Sequence, residues 1–103
     1  MVRKVRWSRS AKLDLNDLLE FISDSAPLNA FRLAIRIREA SETLDSLPEH
    51  GRIIPEFNDK SLREIFVSRY RIMYEIQVAE IIIIAVVHMS RDLQNIFLSK
   101  EDA

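Results

Sequence analysis

"SLREIFVSRYRIMYEIQVAEIIIIAVVHM" (residues 61–89) is the stretch on which the fold turns. Apolar and polar residues alternate along much of it, β-branched and aromatic side chains dominate, and the breaks near Ser68 and at Ala79–Glu80 are long enough only for tight turns. "SLREIFV", "RYRIMYEIQV" and "EIIIIAVVHM" therefore predict three successive strands in an antiparallel meander. The third is apolar on both faces, which suits a central position. On the second, Tyr70, Ile72, Tyr74 and Ile76 share one face, and Arg69, Arg71, Met73 and Glu75 share the other. The apolar set is expected to meet the rest of the core, which leaves Arg69 and Arg71 on an uncovered face.

Upstream the period becomes helical. Ala11, Leu15, Leu18, Leu19 and Ile22 form one apolar stripe, with Ser8 or Ser10 placed to cap it. "SAP" (residues 25–27) stops this helix, and Pro27 suits the first turn of the next. There Leu33, Ile37, Ala40, Leu44 and Leu47 recur at helical spacing. "VRKVRW" (residues 2–7) reads as a short edge strand whose basic side chains discourage edge-to-edge pairing. "LPEHGRIIPEFNDK" (residues 47–60) is irregular and holds Gly51, the only glycine. The tail from Ser90 is expected to add a short helix or strand. The order is β-α-α-β-β-β: an α+β fold in which a helical hairpin packs on one face of a small antiparallel sheet, as a single domain over residues 1–103.

Composition narrows the function classes. With 103 residues, 48% hydrophobic and 30% charged, the chain suits one globular core. The absence of cysteine removes disulfides and thiolate chemistry and fits a reducing compartment. The N-terminus is basic but lacks the apolar core of a signal peptide. The apolar run Ile81–Val87 is far short of the about 20 residues that span a bilayer. A cytoplasmic protein with no membrane association is expected. A net charge of −1 argues against a chain whose main task is to grip nucleic acid, because phosphate neutralisation dominates such binding.

The residues leave two readings of Arg69 and Arg71: a solvated face with an Arg–Glu cross-strand pair, or an anion- or partner-binding surface, since guanidinium suits bidentate contact with phosphate or carboxylate. His88 at the end of the last strand reads first as a structural hydrogen-bonder, and Asp14, Asp17 and Asp24 as a solvated helix face. No phosphate loop, dinucleotide fingerprint, nucleophile elbow or metal motif is present, and neither cofactor nor metal is expected.

"AKLDLNDLLEFI", "LDSLPEHGRIIPE", "LREIFVSRYRIMYEI" and "IIIIAVVHMSRDL" together resemble the RelE/ParE superfamily of toxins from bacterial type II toxin–antitoxin systems, over about residues 5–93. The resemblance rests on "P-x-x-G-R", "R-E-I", "Y-R-I-x-Y" and "V-x-H-x-x-R-D" in that order. It implies a cognate antitoxin whose C-terminal segment wraps the toxin and whose DNA-binding domain alone brings the pair to operator DNA. It also implies one of two activities. RelE-like members cut mRNA in the ribosome; there Arg71 would clamp the phosphate, His88 or Glu64 would be the base, and Arg52 or Arg63 would help to hold phosphate. ParE-like members poison DNA gyrase by protein contact, and "VVHMSRDL" is closer to their ending. The ParE reading is preferred, with Arg52, Arg63, Arg69, Arg71, Arg91 and Asp92 as candidate anion- or partner-binding residues. A third reading is an inactive module that only binds antitoxin.

Overall fold

The computed structural model describes residues 2–90. Its elements are β1 (Lys4–Trp7), α1 (Arg9–Ser23), α2 (Pro27–Glu42), β2 (Arg52–Ile53), β3 (Leu62–Val67), β4 (Tyr70–Ile76) and β5 (Glu80–His88). The five strands form one sheet in the order β1-β5-β4-β3-β2, with the helical hairpin on one face.

Local chemistry sets the ends of the helices. Ser8 caps α1 by accepting from the Ala11 N–H at 3.0 Å, while its own N–H donates to the Ile83 carbonyl and ties the cap to the sheet. Pro27 occupies the first turn of α2, where its missing N–H costs nothing. At the other end, Ser41 and Thr43 hydroxyls donate back to the Arg38 and Ala40 carbonyls. The α-helical turn tightens there into a 3-10 turn at Thr43–Asp45. The expected stripe therefore ends at Leu44, which is fully buried; Leu47 lies beyond the helix and is exposed.

The meander runs as expected, from β3 to β5. Val67 pairs with Tyr70 across a two-residue turn in which Ser68 takes a φ of 55°. β5 lies between β1 and β4, as its two apolar faces require. The expected β-α-α-β-β-β fold is found, and two features add to its small antiparallel sheet. β1 pairs with β5 in parallel, Lys4 opposite Glu80 through Trp7 opposite Ile83. A further two-residue strand, β2, emerges from the irregular stretch and pairs with β3.

A bulge in β5 sorts its run of apolar residues. Met73 faces Ala85 but Tyr74 faces Ile83, so Ile84 is the extra residue. Ile81, Ile83 and Val86 consequently pack towards the helices, and Ala85 and Val87 towards the opposite face. The Val86 N–H next to the bulge donates to Asp14 Oδ2 on α1 at 3.1 Å. Asp14 thus differs from its exposed neighbours Asp17 and Asp24.

The main core joins Ala11, Leu33, Ile37 and Leu44 to Ile65, Ile72, Tyr74, Ile81 and Ile83. Each fully buried large side chain contributes roughly 1.5–3 kcal/mol. A smaller cluster of Ile54, Met73, Ala85 and Val87 lies on the other face of the sheet.

Candidate functional site

The motif residues meet where β2, β3 and β4 run side by side. Arg52 sits opposite Glu64, and Glu64 opposite Met73; in the next row Phe66 sits opposite Arg71. Arg52, Glu64, Phe66 and Arg71 therefore share the face away from the helices. Glu64 is almost wholly buried, and both its oxygens are engaged. Oε1 accepts from Arg71 Nε at 2.5 Å and Oε2 from Arg52 Nε at 2.7 Å. The Arg52 guanidinium also lies 4.9 Å from the centre of the Phe66 ring, in cation–π contact.

Arg71 differs from its expected state. It is only 6% exposed, not solvated, because residues 54–60 fold over this face. Ile54 is fully buried and anchors that segment, its N–H donating to the Leu62 carbonyl. Glu56 then reaches the guanidinium end-on: Nη1 donates to Oε2 at 2.9 Å and Nη2 to Oε1 at 2.8 Å. This is a two-point fork, the geometry in which arginine binds carboxylates most strongly. The hydrogen bonds from Arg71 hold the Glu56 carboxyl down to about 2, from an ordinary value of 4.5. The same bonds, with those to Glu64, raise the Arg71 guanidinium above its ordinary value against the opposing effect of burial.

"P-x-x-G-R" has a separate structural role. The Tyr74 hydroxyl donates to the Pro48 carbonyl at 2.7 Å and accepts from the Gly51 N–H at 2.9 Å. A Cβ at position 51 would lie 2.5 Å from the Tyr74 Oη and 2.6 Å from the Glu64 carbonyl oxygen, so only glycine allows this approach. Burial pushes the Tyr74 phenol up. Arg63 points to the helix side and donates to the Gly51 and Lys60 carbonyls.

The other candidates lie elsewhere. Arg69 belongs to the exposed β3–β4 turn and not to the strand, so it does not sit beside Arg71 on one face. His88 lies opposite Tyr70 on the helix side of the sheet, with the two rings edge-on at 5.5 Å. Its Nδ1 accepts from the Ser90 N–H at 3.1 Å and lies 2.8 Å from the Ser90 hydroxyl. Of the residues proposed for catalysis, the fold thus joins Arg71 to Glu64 and leaves His88 across the sheet. Arg91 and Asp92 lie outside the described residues. Among the described residues no group of three His, Cys, Asp or Glu gathers to hold a metal, and no helix is long and apolar enough to cross a membrane.

Sequence reasoning missed Glu56 and the hydroxyl of Tyr74. Nothing periodic marks Glu56 in its irregular segment. Tyr74 did carry a signal, because a phenol on a strictly apolar strand face needs a buried partner. Reasoning from the sequence also left unnoticed a groove of about 500 Å³ between the helices. Trp7, Leu15, Phe31 and Ile35 line it, with Lys12 and Arg38 also in its wall.

Comparison with known proteins shows the family and the fold. Residues 5–93 match the family model described as ParE toxin of type II toxin–antitoxin system, parDE. The chain is 32% identical over 89 residues to a protein named Toxin RelE2 from Caulobacter vibrioides, covering 85% of this chain and 97% of that one. Among solved structures, the chromosomal ParDE TA system from P. aeruginosa includes a chain that superposes with a TM-score of 0.71. It is 18% identical, with 84% of this chain and 96% of that chain covered, and supports the shared fold. By the family match and the relative together, this chain belongs to the ParE toxin family of type II toxin–antitoxin systems.

Proposed function

We propose that this protein inhibits growth in the cytoplasm by binding DNA gyrase and trapping it on cleaved DNA, and that a cognate antitoxin neutralises it. The observation that carries the preference over mRNA cleavage is the state of Arg71. A phosphate clamp needs a guanidinium fork free to meet the substrate. Here Glu56 occupies the fork and Glu64 the Nε, and His88 lies on the other side of the sheet. Both Glu64 oxygens already accept arginine N–H groups and the side chain is almost wholly buried, so this carboxylate is not presented to a substrate hydroxyl as a general base. A net charge of −1 also favours a protein target over a ribosomal RNA cleft.

The antitoxin has a fitting surface in the α1–α2 groove, where a helix with an apolar stripe and acidic flanks would meet Phe31, Leu15 and Trp7 between Lys12 and Arg38. Phe31 is 64% exposed in the toxin alone, an exposure that such a partner would remove.

The deciding experiment incubates antitoxin-free protein with gyrase, supercoiled plasmid and ATP, then scores linear DNA after detergent and protease treatment. Accumulating linear DNA is expected. Its absence, with a gyrase-poisoning drug active in the control, would transfer the assignment to ribosome-dependent mRNA cleavage, read from cuts in a translated message.

A further inference from the structure

We infer that the antitoxin-free toxin pairs with a second copy of itself through the α1–α2 groove, the two hairpins lying antiparallel about a twofold axis at Asn16 and Phe31. The groove extends beyond its Trp7 end. Its other half is lined by Leu19, Glu20, Ser23 and Pro27, and the two halves share Phe31 and Ala34. Phe31 thus stands at the middle of one continuous trough, an exposed aromatic anchor of the kind that a partner surface covers.

The charges along the trough say what that partner is. Lys12 and Arg38 lie at one end and Glu20 at the other, all three exposed. Among the described residues none of these side chains has an ion-pair partner. Nor does their order serve the helix that carries two of them. α1 has no acid in its first turn and no base in its last; Lys12 lies in the first and Glu20 in the last, against the macrodipole. Charges set at a cost to their own helix answer to something outside it.

Their positions are self-complementary. Lys12 and Glu20 are each four residues from Asn16, about 6 Å to either side of it along the helix axis. A second α1 turned end for end about Asn16 therefore sets Lys12 of each copy against Glu20 of the other. The same rotation brings Arg38 of each copy to the other's acidic end. The Asn16 amide both donates and accepts, so it can pair with itself on the axis. One patch then meets its own copy and each ion pair forms twice, the isologous contact of a C2 dimer. Side by side in parallel, the same helices would set like charges together.

Such a dimer hides the face proposed for the antitoxin, so the free toxin would have to dissociate before it is neutralised. That consequence rests on the antitoxin reading of the groove; the dimer itself does not.

Analytical ultracentrifugation of antitoxin-free protein over about 1–100 μM tests the inference, with circular dichroism as the check of folding. The wild type is expected to rise reversibly towards twice the monomer mass. Lys12→Glu and Glu20→Lys are each expected to weaken association at least about tenfold. An equimolar mixture of the two variants is expected to recover the wild-type affinity, because every contact then joins an acid to a base. A wild type that stays monomeric throughout overturns the inference and leaves the groove to the antitoxin alone. Reversals that change nothing, or a mixture no tighter than its parts, overturn it as well. Should a reversal fail to fold, Phe31→Ser supplies the second test: a lost dimer supports the inference and a retained one overturns it. Neither gyrase nor antitoxin is present, so failure here would leave both earlier proposals untouched.

Discussion

The two faces of the sheet use the same strands in opposite ways. Beneath the helices, Ile72 and Tyr74 meet Ile37, Leu44, Ile81 and Ile83, and stability comes from apolar area. One residue away along the same strands, Arg71 and Glu64 are as deeply buried, but under a short segment and a small cluster of Ile54, Met73, Ala85 and Val87. A thin cover can bury charges because every one of them has a partner: no buried side-chain nitrogen or oxygen lacks a hydrogen bond among the described residues. The helix face tolerates the loss of a contact in proportion to volume removed. The buried Arg71–Glu64 pair is intolerant of losing one member and tolerant of losing both together.

That contrast is testable. Glu64→Ala leaves the buried Arg71 without its inner partner and is expected to cost about 3–5 kcal/mol by urea unfolding. Ile37→Ala, on the helix face, is expected to cost about 3 kcal/mol through lost burial and the cavity left behind. Replacing Glu64 and Arg71 together by Met should recover most of the first loss, whereas no second truncation rescues Ile37→Ala. If the double variant is no more stable than Glu64→Ala, pairing is not what holds the network face.

Tyr74→Phe sits between the two regimes. It keeps the ring in the core and removes the hydroxyl that joins Pro48 to Gly51, for an expected cost of roughly 1–2 kcal/mol. Hydrogen exchange of the Gly51 amide should rise more than that of β5, and a uniform rise would show that this bond does not specifically tether the loop.

Acid gives the smallest expected effect. Glu56 has a folded value of about 2 against 4.5 ordinarily, so its stabilising contribution is complete above about 4.5 and is lost as the pH falls towards 2. With this side chain 40% exposed, solvent screening reduces that contribution to about 1 kcal/mol. Glu56→Gln should remove this part of the stability difference between pH 6 and pH 2; an unchanged pH dependence would mean that the fork contributes nothing to folding.

Much of the candidate site was legible in part. "Y-R-I-x-Y" placed Arg71 on the face away from the core, and the alternation that did so is the one found in the fold. The expected exposure failed because alternation states which face a side chain takes and not what covers that face. Residues 54–60 supply the cover, and their pattern contains no period to announce it. Arg69 was misplaced for a similar reason: Ser68 takes a positive φ, so the turn extends through Arg69 and the strand begins at Tyr70.

The sequence by itself determined the class, both helices and four of the five strands, since the change of period from helical to two near residue 60 and the turn residues between strands are local signals that each residue carries on its own. It also determined that Arg71 and the apolar residues of β4 face opposite ways. The parallel pairing of β1 with β5, the bulge at Ile84 answered by Asp14, and the closing of Glu56 onto Arg71 were decided only by the tertiary structure. Each joins residues distant in the chain, and the free energy that selects it comes from desolvation and pairing that exist only once the chain has folded.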